Sequence, residues 1–426
     1  MLARRLLTSA GSSTGTVAAE TPPTEVFTLT SAPDGAWSWF GDPRAIHNAG
    51  YVYLGYVDTT GNVCLRVYTE ATETTGPEII LHAALDYDDH VNPSFLVLPN
   101  GRLGAWYCRH EPISTTMHQR ISVNTLAADP TLAGGFAAET DTDAQMGSVS
   151  YDYPVPLVLS ADSSRVRMYY RNVSFGNDYQ LTQSESTDNG TTWSDRDAVY
   201  RSNNLSGRGY WKIVSDGVSK VHFAVTSESP NTGLTHLGHC YFDLSDGNYH
   251  KSDGTIITLR GVAPLDVFWF VDVTPVYTTA NTWVWDIALD GSGKPVIVHP
   301  RWPTEFSDHR YMYSRWNGSA WVTTEICAAG AGIDATGVYS GGISLDHSDP
   351  SRLLASRQIS GQWEVWRYTT VDNGATFSGE GLTAGSASKN IRPYYIESPG
   401  RLKAGWLAGT YTGYSEAFNM GLRGLR

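Results

Sequence analysis

Four side chains that can transfer protons or bind anions occur at the same end of two consecutive predicted hairpins. His90 stands near the start of one strand and His110 at the end of its partner, and Tyr153 and Arg171 take these places in the next hairpin. In an antiparallel pair, the start of one strand and the end of the other lie at one edge of the sheet. A lone strand histidine is usually structural. Two His, one Tyr and one Arg at one rim instead predict acid–base chemistry on an anionic ligand.

These hairpins belong to a pattern that repeats from Ala36 onward. Short β-rich runs alternate with turns that contain Asp, Asn or Gly. The chain from Trp37 to its end holds seven copies of about 56 residues each. One four-stranded copy cannot bury both of its faces, and closing the copies in a ring protects their edges. We therefore predict an all-β, seven-bladed β-propeller of four-stranded antiparallel blades over residues 36–426, after a flexible leader, residues 1–35.

Two eight-residue turns support this architecture. Residues 186–193 fit the pattern S-x-D-x-G-x-T-W, the Asp box, and residues 370–377 form a slightly degenerate second copy about three blades later. In such a turn Gly supplies a positive φ, Asp and Thr satisfy the turn amides, and the aromatic residue packs between sheets. Asp188 and Asp372 are therefore predicted to be structural.

Composition narrows the range of partners. The net charge of −13 argues against a nucleic-acid or membrane surface, because both need a basic face. An acidic protein can still hold an anionic ligand in a local cluster of Arg and His. No stretch reads as a transmembrane span, and the short apolar run Leu6-Leu7 makes a poor signal peptide. The four cysteines are widely spaced, so free buried thiols are expected.

Several segments resemble the ulvan lyases with BNR-type propeller folds. They are residues 37–46, His90-x-Asn92-Pro93, Arg109-His110, the hairpin from Tyr153-Pro154 to Arg171, residues 341–377 and Asn390-Ile391-Arg392-Pro393. The resemblance implies a polysaccharide lyase whose catalytic His, His, Tyr and Arg fall on His90, His110, Tyr153 and Arg171. It also implies that the substrate is an anionic, sulfated, uronate-containing polysaccharide such as ulvan, and that catalysis requires no cofactor.

β-Elimination of a 4-linked uronate explains why these residue types are needed. The C5 proton is too weakly acidic to be removed unless the carboxylate is neutralised, a role that we assign to Arg171 and His110. A base must reach C5 and an acid must protonate the departing O4. We assign Tyr153 as the base and His90 as the acid, an assignment that can be exchanged. Tyr153 could act as a base only if Arg171 lowers its pKa.

Further polar residues at blade entries are candidates for binding sulfate or hydroxyl groups, or for lining the channel. They are Arg44, Asn92, Tyr151, Tyr210 and Arg392, of which Tyr151 is also a reserve candidate for proton transfer.

Two groups of residues raise the question of a structural metal. His222, His239 and Cys240 lie on one apparent hairpin and include zinc-type ligands, although their spacing matches no closed four-ligand pattern. An acidic run, Asp86, Asp88 and Asp89, could hold calcium, but a solvated loop is the simpler interpretation. A structural zinc or calcium ion is left open.

Two other functions remain open. A sialidase would need three arginines and a tyrosine nucleophile activated by Glu; Arg44 has the position of one such arginine, but no convincing Glu partner is evident. A non-catalytic glycan-binding propeller, such as a phage or cell-surface adhesin, would use the same cluster only for binding. In each case we expect an extracellular or virion-associated protein, and the sequence does not predict the oligomeric state.

Overall fold

The computed structural model describes residues 26–30, 35–110, 115–142, 146, 150–174, 178–194, 196–201, 209–226, 229–230, 235–262, 264–266, 271–273, 281–302, 306–397, 400–416 and 418–426. Over these residues the chain forms seven separate sheets that are almost entirely antiparallel. The predicted seven-bladed β-propeller is therefore confirmed. Within the described residues, no helix is long and apolar enough to cross a membrane.

The first three blades follow one another along the chain. Blade 1 contains β2 (Ala45–Asn48), β3 (Tyr51–Val57), β4 (Val63–Thr69), β5 (Thr74–Thr75) and β6 (Ile79–His82). Blade 2 contains β7 (Ser94–Val97), β8 (Arg102–Tyr107), β9 (His118–Thr125) and β10 (Thr140–Asp141). Blade 3 contains β11 (Asp152–Val158), β12 (Val166–Ser174), β13 (Asp178–Ser186) and β14 (Asp197–Arg201). Short 3-10 helices at Asp89–Val91 and Ser160–Asp162 connect strands.

The remaining blades complete the ring. Blade 4 contains β15 (Tyr210–Ser215), β16 (Lys220–Thr226), β17 (Leu237–Asp243), β18 (Asn248–Lys251) and β19 (Ile256–Leu259). Two short strands, β20 (Leu265–Asp266) and β21 (Val271–Asp272), then pair with β14 and β17. Blade 5 contains β22 (Asn281–Thr282), β23 (Asp286–Leu289), β24 (Pro295–Trp302), β25 (His309–Trp316) and β26 (Trp321–Gly330). Blade 6 contains β27 (Ile343–Leu345), β28 (Arg352–Ile359), β29 (Gln362–Thr369) and β30 (Ser378–Gly381). Blade 7 contains β31 (Lys389–Tyr395), β32 (Ala404–Tyr411), β33 (Phe418–Leu425) and β1 (Val26–Thr28).

The core lies between neighbouring blades, and this explains why the second strand of a blade is apolar along most of its length. In β3, six of seven residues are buried. A sheet sandwiched between two other sheets hides both of its faces, so its strands lose the apolar–polar alternation of a half-exposed strand. Aromatic side chains fill these junctions, among them the fully buried Trp106 and Trp406.

The ring is closed by the beginning of the chain. Strand β1 pairs antiparallel with the last strand, β33, with Val26 opposite Leu425 and Thr28 opposite Arg423. The boundary predicted at residue 35 therefore lies too late, because residues 26–28 form the outer strand of blade 7. The rest of the predicted leader, residues 1–25, lies outside the described residues. Pairing the two ends of the chain in one sheet protects the edge of the last blade.

The two Asp boxes form matching turns after the third strands of blades 3 and 6. In the first, Asp188 Oδ1 accepts from the Thr192 backbone N–H at 2.8 Å and Oδ2 from its hydroxyl at 2.6 Å. In the second, Asp372 makes the same bonds to Thr376, at 2.9 and 2.6 Å. Both aspartates are therefore occupied in holding turns together.

Candidate active site

One carboxylate holds both predicted catalytic histidines. Asp88 precedes the 3-10 turn Asp89–Val91, and its Oδ1 accepts from the backbone N–H of His90 at 2.9 Å and from Nδ1 of the same ring at 2.7 Å. Its Oδ2 accepts from Nδ1 of His110 at 2.7 Å. The two imidazoles stack with centroids 4.2 Å apart. Because both Nδ1 atoms face Asp88, both Nε2 atoms are available on the other side.

Asp88 and the two histidines stabilise one another's charged forms. Burial opposes ionisation of Asp88, but the charge of His90 and hydrogen bonds from both histidines outweigh it, so its pKa is lowered. Burial likewise opposes a charge on His110, yet Asp152 and Asp88 outweigh it and its pKa is raised. His110 is thus held toward the imidazolium form next to an ionised carboxylate.

A bulge in β11 brings Tyr153 to the histidines. Strand pairing runs from Asp152 opposite Arg171 directly to Val155 opposite Tyr169, so Tyr153 and the following proline are skipped. Tyr153 has φ of +55°, a left-handed conformation that a strand residue rarely adopts. Its hydroxyl lies 3.3 Å from Nε2 of His110. The bulge thus turns this side chain toward blade 2.

Arg171 is fixed beside Tyr153 by a second buried carboxylate. Its Nε donates to Asp152 Oδ2 at 3.1 Å, and its Nη2 donates to the same oxygen. The guanidinium carbon lies 4.3 Å from the centroid of the Tyr153 ring. Asp152 therefore orients Arg171 much as Asp88 orients the histidines.

The condition for Tyr153 to act as a base is not met. Arg171 does lower the pKa of Tyr153, as the sequence analysis required, but burial outweighs this effect and raises the pKa well above its usual value of 10. Tyr153 is a neutral phenol at physiological pH. It is better suited to donate a proton than to remove one.

Aromatic rings enclose the four groups. Phe40 stacks on Tyr153 with centroids 4.5 Å apart and on His90 at 5.4 Å. The half-buried Tyr414 meets the His90 ring edge-on at 5.0 Å, and the half-buried Tyr339 lies 5.9 Å from Tyr414. These rings leave the four candidate groups almost fully buried, with Tyr339 and Tyr414 partly exposed at the rim.

Of the predicted binding residues, Tyr210 joins the site and Tyr151 does not. The Tyr210 ring lies 5.1 Å from Phe40 and 5.5 Å from the Arg171 guanidinium. Tyr151 is fully buried in an apolar cluster between blades, 5.2 Å from the ring of Tyr170. Tyr151 and Tyr153 are two residues apart and would share a face of a regular strand, but the bulge directs the two rings into different places.

Arg44, Asn92 and Arg392 tie the surrounding loops together instead of opening onto the site. Arg44 donates to the carbonyl of Ser38, and its guanidinium lies 4.3 Å from the Tyr394 ring. The carbonyl oxygen of the Asn92 side chain accepts from the Ser38 backbone at 3.0 Å.

Arg392 pairs with Asp89, which the sequence analysis treated as part of a solvated acidic loop. Its Nη1 donates to Asp89 Oδ2 at 2.5 Å and its Nη2 to the Tyr411 hydroxyl at 2.6 Å. Asp88 and Asp89 are both buried, so the solvated-loop interpretation was wrong for them. These two carboxylates are committed to the histidines and to Arg392.

Of the three weak candidates for a metal site in blade 4, the two histidines lie close together and Cys240 lies apart from them. Nδ1 of His222 lies 3.2 Å from Nε2 of His239, but Cys240 is the next residue on the strand and its thiol lies in the apolar core between blades. Successive side chains of a strand point to opposite faces, so Cys240 cannot join a site with His239. None of the four cysteines, all of them among the described residues, is in a disulfide, as predicted.

Sequence reasoning missed the two orienting carboxylates and the aromatic enclosure. Asp152 directly precedes Tyr153, but only the register of the hairpin places it opposite Arg171. Asp88 was noticed only as part of an acidic run. Tyr339 and Tyr414 come from distant parts of the chain, and nothing local indicates that they meet.

A family model supports the architecture independently. Residues 51–329 match the model described as BNR repeat-containing family member. The chain belongs to the BNR repeat-containing family. No curated protein sequence matches this BNR repeat-containing protein.

Solved structures share the fold of this BNR repeat-containing protein at low sequence identity. A PL25 ulvan lyase matches with a TM-score of 0.69 and 13% identity, covering 93% of this chain and 94% of the other. A PL25 ulvan lyase bound to GlcA(1-4)Rha3S matches with a TM-score of 0.68 and 12% identity, covering 95% and 94%. The polysaccharide lyase Uly1 matches with a TM-score of 0.58 and 12% identity, covering 95% and 99%. At this identity the likeness establishes a common fold.

Proposed function

We propose that this protein is a polysaccharide lyase that cleaves a 4-linked uronate polymer by β-elimination. The observation that carries the proposal is the group formed by His90, His110, Tyr153 and Arg171, in which Asp88 orients both imidazoles. The elimination needs a charge that stabilises the substrate carboxylate, a base for the C5 proton and an acid for O4. This group offers one candidate for each task.

Arg171 and His110 are suited to neutralise the substrate carboxylate. Burial opposes a charge on each of them, but neighbouring carboxylates outweigh it and raise both pKa values, which favours the positively charged form of each. The 3.3 Å separation between Nε2 of His110 and the Tyr153 oxygen exceeds the usual hydrogen-bond length. Nε2 of His110 can therefore leave the Tyr153 hydroxyl and donate a hydrogen bond to a carboxylate oxygen of the substrate. Negative charge that builds on that oxygen as C5 loses its proton is then stabilised.

His90 is the better base and Tyr153 the better acid, which exchanges the roles first assigned from sequence. Asp88 accepts from Nδ1 of His90, so the lone pair of this imidazole lies on Nε2. Tyr153 retains its phenolic proton because burial raises its pKa. In the reaction, Nε2 of His90 takes the C5 proton, the C–H electrons form the C4=C5 double bond, and the C4–O4 bond breaks. Tyr153 protonates the departing O4.

A relative supplies the most specific suggestion for the polymer. A PL25 ulvan lyase of the same fold is bound to GlcA(1-4)Rha3S, which contains a 4-linked glucuronate and a sulfated rhamnose. We propose a substrate of this class for the present protein. The aromatic rings of Tyr339 and Tyr414 at the rim can stack on sugar faces. A polysaccharide of this class lies outside the cell that degrades it. We therefore propose that the protein is extracellular or virion-associated.

The decisive experiment measures near-ultraviolet absorbance while the purified protein is mixed with a panel of uronate polymers. The new C4=C5 double bond should raise the absorbance with at least one sulfated uronate polymer, and Arg171→Ala should abolish the rise. Arg165→Ala is the matched control, because Arg165 pairs with Asp162 and Glu185 at the far end of the same hairpin. Binding without unsaturated product would identify a glycan-binding propeller instead, and free sialic acid would identify a sialidase.

A further inference from the structure

A second cluster of histidines and carboxylates lies where blade 1 meets blade 2. It comprises His82 at the end of β6, His118 at the start of β9, Glu139 just before β10 and Asp141 at the end of β10, and is called here the His82 cluster. Its two histidines and Glu139 place one ligand atom each within 4.8 Å of one another. None of these residues belongs to the group around Asp88.

The nitrogen and oxygen atoms of the cluster lie close to one another. Nδ1 of His82 lies 2.8 Å from Glu139 Oε2, and Nδ1 of His118 lies 3.1 Å from Glu139 Oε1. Asp141 Oδ1 approaches Nδ1 of His118 to 3.2 Å. In a tetrahedral zinc site, metal–ligand distances near 2.1 Å place ligand atoms about 3.4 Å apart. A small expansion of the cluster would therefore accommodate the ion.

His118 gives an independent indication that a ligand is missing from the contacts within the protein. Its Nδ1 is fully buried and has no hydrogen-bond partner, although two carboxylate oxygens lie within 3.2 Å of it. A nitrogen and a carboxylate oxygen that lie close together without hydrogen-bond alignment are expected where the lone pairs of both atoms point at a common centre. A buried imidazole nitrogen left unsatisfied is otherwise unfavourable.

The surroundings orient the carboxylate as a supporting shell would. Tyr107, the last residue of β8, donates its hydroxyl to Glu139 Oε2 at 2.6 Å. Its ring stacks on the His118 ring with centroids 5.8 Å apart.

We propose that the His82 cluster binds one zinc ion, with Nδ1 of His82, Nδ1 of His118 and carboxylate oxygens of Glu139 and Asp141 as ligands. Two imidazoles with carboxylates form a nitrogen–oxygen set that zinc accepts. The ion would link the outer part of blade 1 to blade 2. It would also fix both ends of the segment between β8 and β9, which carries His110 three residues after Tyr107.

Other sites explain the same chemistry less well. Asp88 already accepts from Nδ1 of both His90 and His110, which orients two imidazoles instead of leaving their lone pairs for an ion. In the cluster of Asp58, Cys64 and Glu78, burial raises the pKa of the thiol, which opposes the thiolate that zinc requires.

The experiment is a zinc titration of the metal-depleted full-length protein in competition with a chromogenic chelator. One zinc per chain is expected, and His118→Gln should weaken binding at least 100-fold, whereas His222→Gln should leave it unchanged. Tyr107→Phe, which removes the hydroxyl's bonds to Glu139 and to the Leu81 carbonyl, should weaken binding about 10-fold. Added zinc should raise the melting temperature of the wild type and not that of His118→Gln.

Cobalt(II) provides a measurement that needs no substitution. Bound to the wild type, it should give the intense visible absorption of a tetrahedral nitrogen–oxygen site, and zinc should displace it. Circular dichroism checks that His118→Gln folds; if it does not, the cobalt spectrum and Tyr107→Phe decide. The proposal is overturned if the wild type takes up no zinc, if Tyr107→Phe and His118→Gln bind as tightly as the wild type, or if only His222→Gln loses the ion.

Discussion

At the scale of single residues, Asp88 determines how the candidate site is arranged. Its two oxygens each accept from one histidine ring at 2.7 Å, so a single side chain sets the orientation and the tautomer of both. Asp88 was not selected from sequence, because an Asp in an acidic loop is usually solvated. Its burial depends on tertiary packing around His90 that no local pattern reveals.

Replacing Asp88 by Asn tests this arrangement. Asp88→Asn should lower kcat about 10²- to 10⁴-fold, the range found when the carboxylate that orients a catalytic histidine is lost. Initial rates of unsaturated-product formation measure the effect. Asp86→Asn is the matched control, since Asp86 lies two residues away and contacts Arg109 instead of a site histidine. Wild-type rates in Asp88→Asn would remove Asp88 from the mechanism.

The pH profile should report the charge on His110. Burial opposes a charge on His110, but Asp152 and Asp88 raise its pKa above 6.5, and in the proposed mechanism the protonated form neutralises the substrate carboxylate. We therefore expect kcat/KM to fall as pH rises through this raised pKa. In Asp88→Asn the fall should begin at lower pH, because one of the two raising carboxylates is gone. An unchanged alkaline limb in that variant would contradict the role of His110.

The role of Tyr153 as acid or base is testable with the leaving group. If Tyr153 protonates O4, Tyr153→Phe should lower kcat about 10²- to 10⁴-fold on the natural polymer. The loss should shrink on a uronate that carries fluoride or an aryl ether at C4, because these groups leave with little protonation. His90→Ala should be impaired on both kinds of substrate. Equal losses on both substrates for Tyr153→Phe would instead make Tyr153 the base.

At the scale of secondary-structure elements, turns and bulges position the chemistry that the strands support. Most strand pairs were predictable from sequence, because two apolar runs around an Asn-, Asp- or Gly-containing turn specify a hairpin. The bulge in β11 was not predictable. It moves Tyr153 and Tyr151 to different sides, and the alternation of side chains along a strand gives no sign of it.

Three glycines in the turns of blades 3 and 6 allow the cost of backbone strain to be compared with the cost of steric overlap. Gly190, Gly361 and Gly374 have φ of +83°, +83° and +88°, so alanine costs each about 1 kcal/mol in backbone strain. An added Cβ would meet nothing within 4 Å at Gly361, Gln119 Oε1 at 3.3 Å at Gly190 and the Tyr313 ring at 2.5 Å at Gly374. The loss in free energy of unfolding should therefore increase in the order Gly361→Ala, Gly190→Ala, Gly374→Ala.

Urea unfolding of the three variants measures this order. Gly361→Ala serves as the internal control for backbone strain alone. The loss in free energy of unfolding should be about 1–3 kcal/mol larger for Gly374→Ala than for Gly361→Ala, which is the usual cost of overpacking a filled site. Equal losses at all three positions would mean that the Tyr313 ring moves aside without cost.

At the scale of the whole molecule, one sheet joins the two ends of the chain. The sequence predicts seven blades because the repeats are numerous and about evenly spaced, but it does not predict that residues 26–28 complete the last one. A three-residue strand has no measurable periodicity, and its partner, Phe418–Leu425, lies at the other end of the chain. Closure of this kind is a property of the ring and not of any local segment.

Buried histidines with lowered pKa values occur in several blades, and they should make the stability of the whole molecule decrease at acidic pH. Burial lowers the pKa of His222 to about 4, of His299 to about 3 and of His309 to about 4, and lowers that of His239 well below 6.5. In the unfolded chain each regains a pKa near 6.5. Below pH 6.5 the unfolded state therefore binds more protons, and stability present above that pH is lost as pH falls. The pKa values of His110 and His347 are raised, so the stability that these two contribute is fully present well below pH 6.5 and adds no slope there.

Each of these four histidines should contribute about 1.4 kcal/mol of lost stability per pH unit well below pH 6.5. Urea unfolding between pH 6.5 and 5 isolates them, because most carboxylates titrate lower. His299→Gln should make the dependence shallower by one such contribution, since glutamine can keep the bonds to Thr282 and Ser314 without taking up a proton. A stability that stays flat over this interval would mean that these histidines are hydrated or already charged in the folded protein.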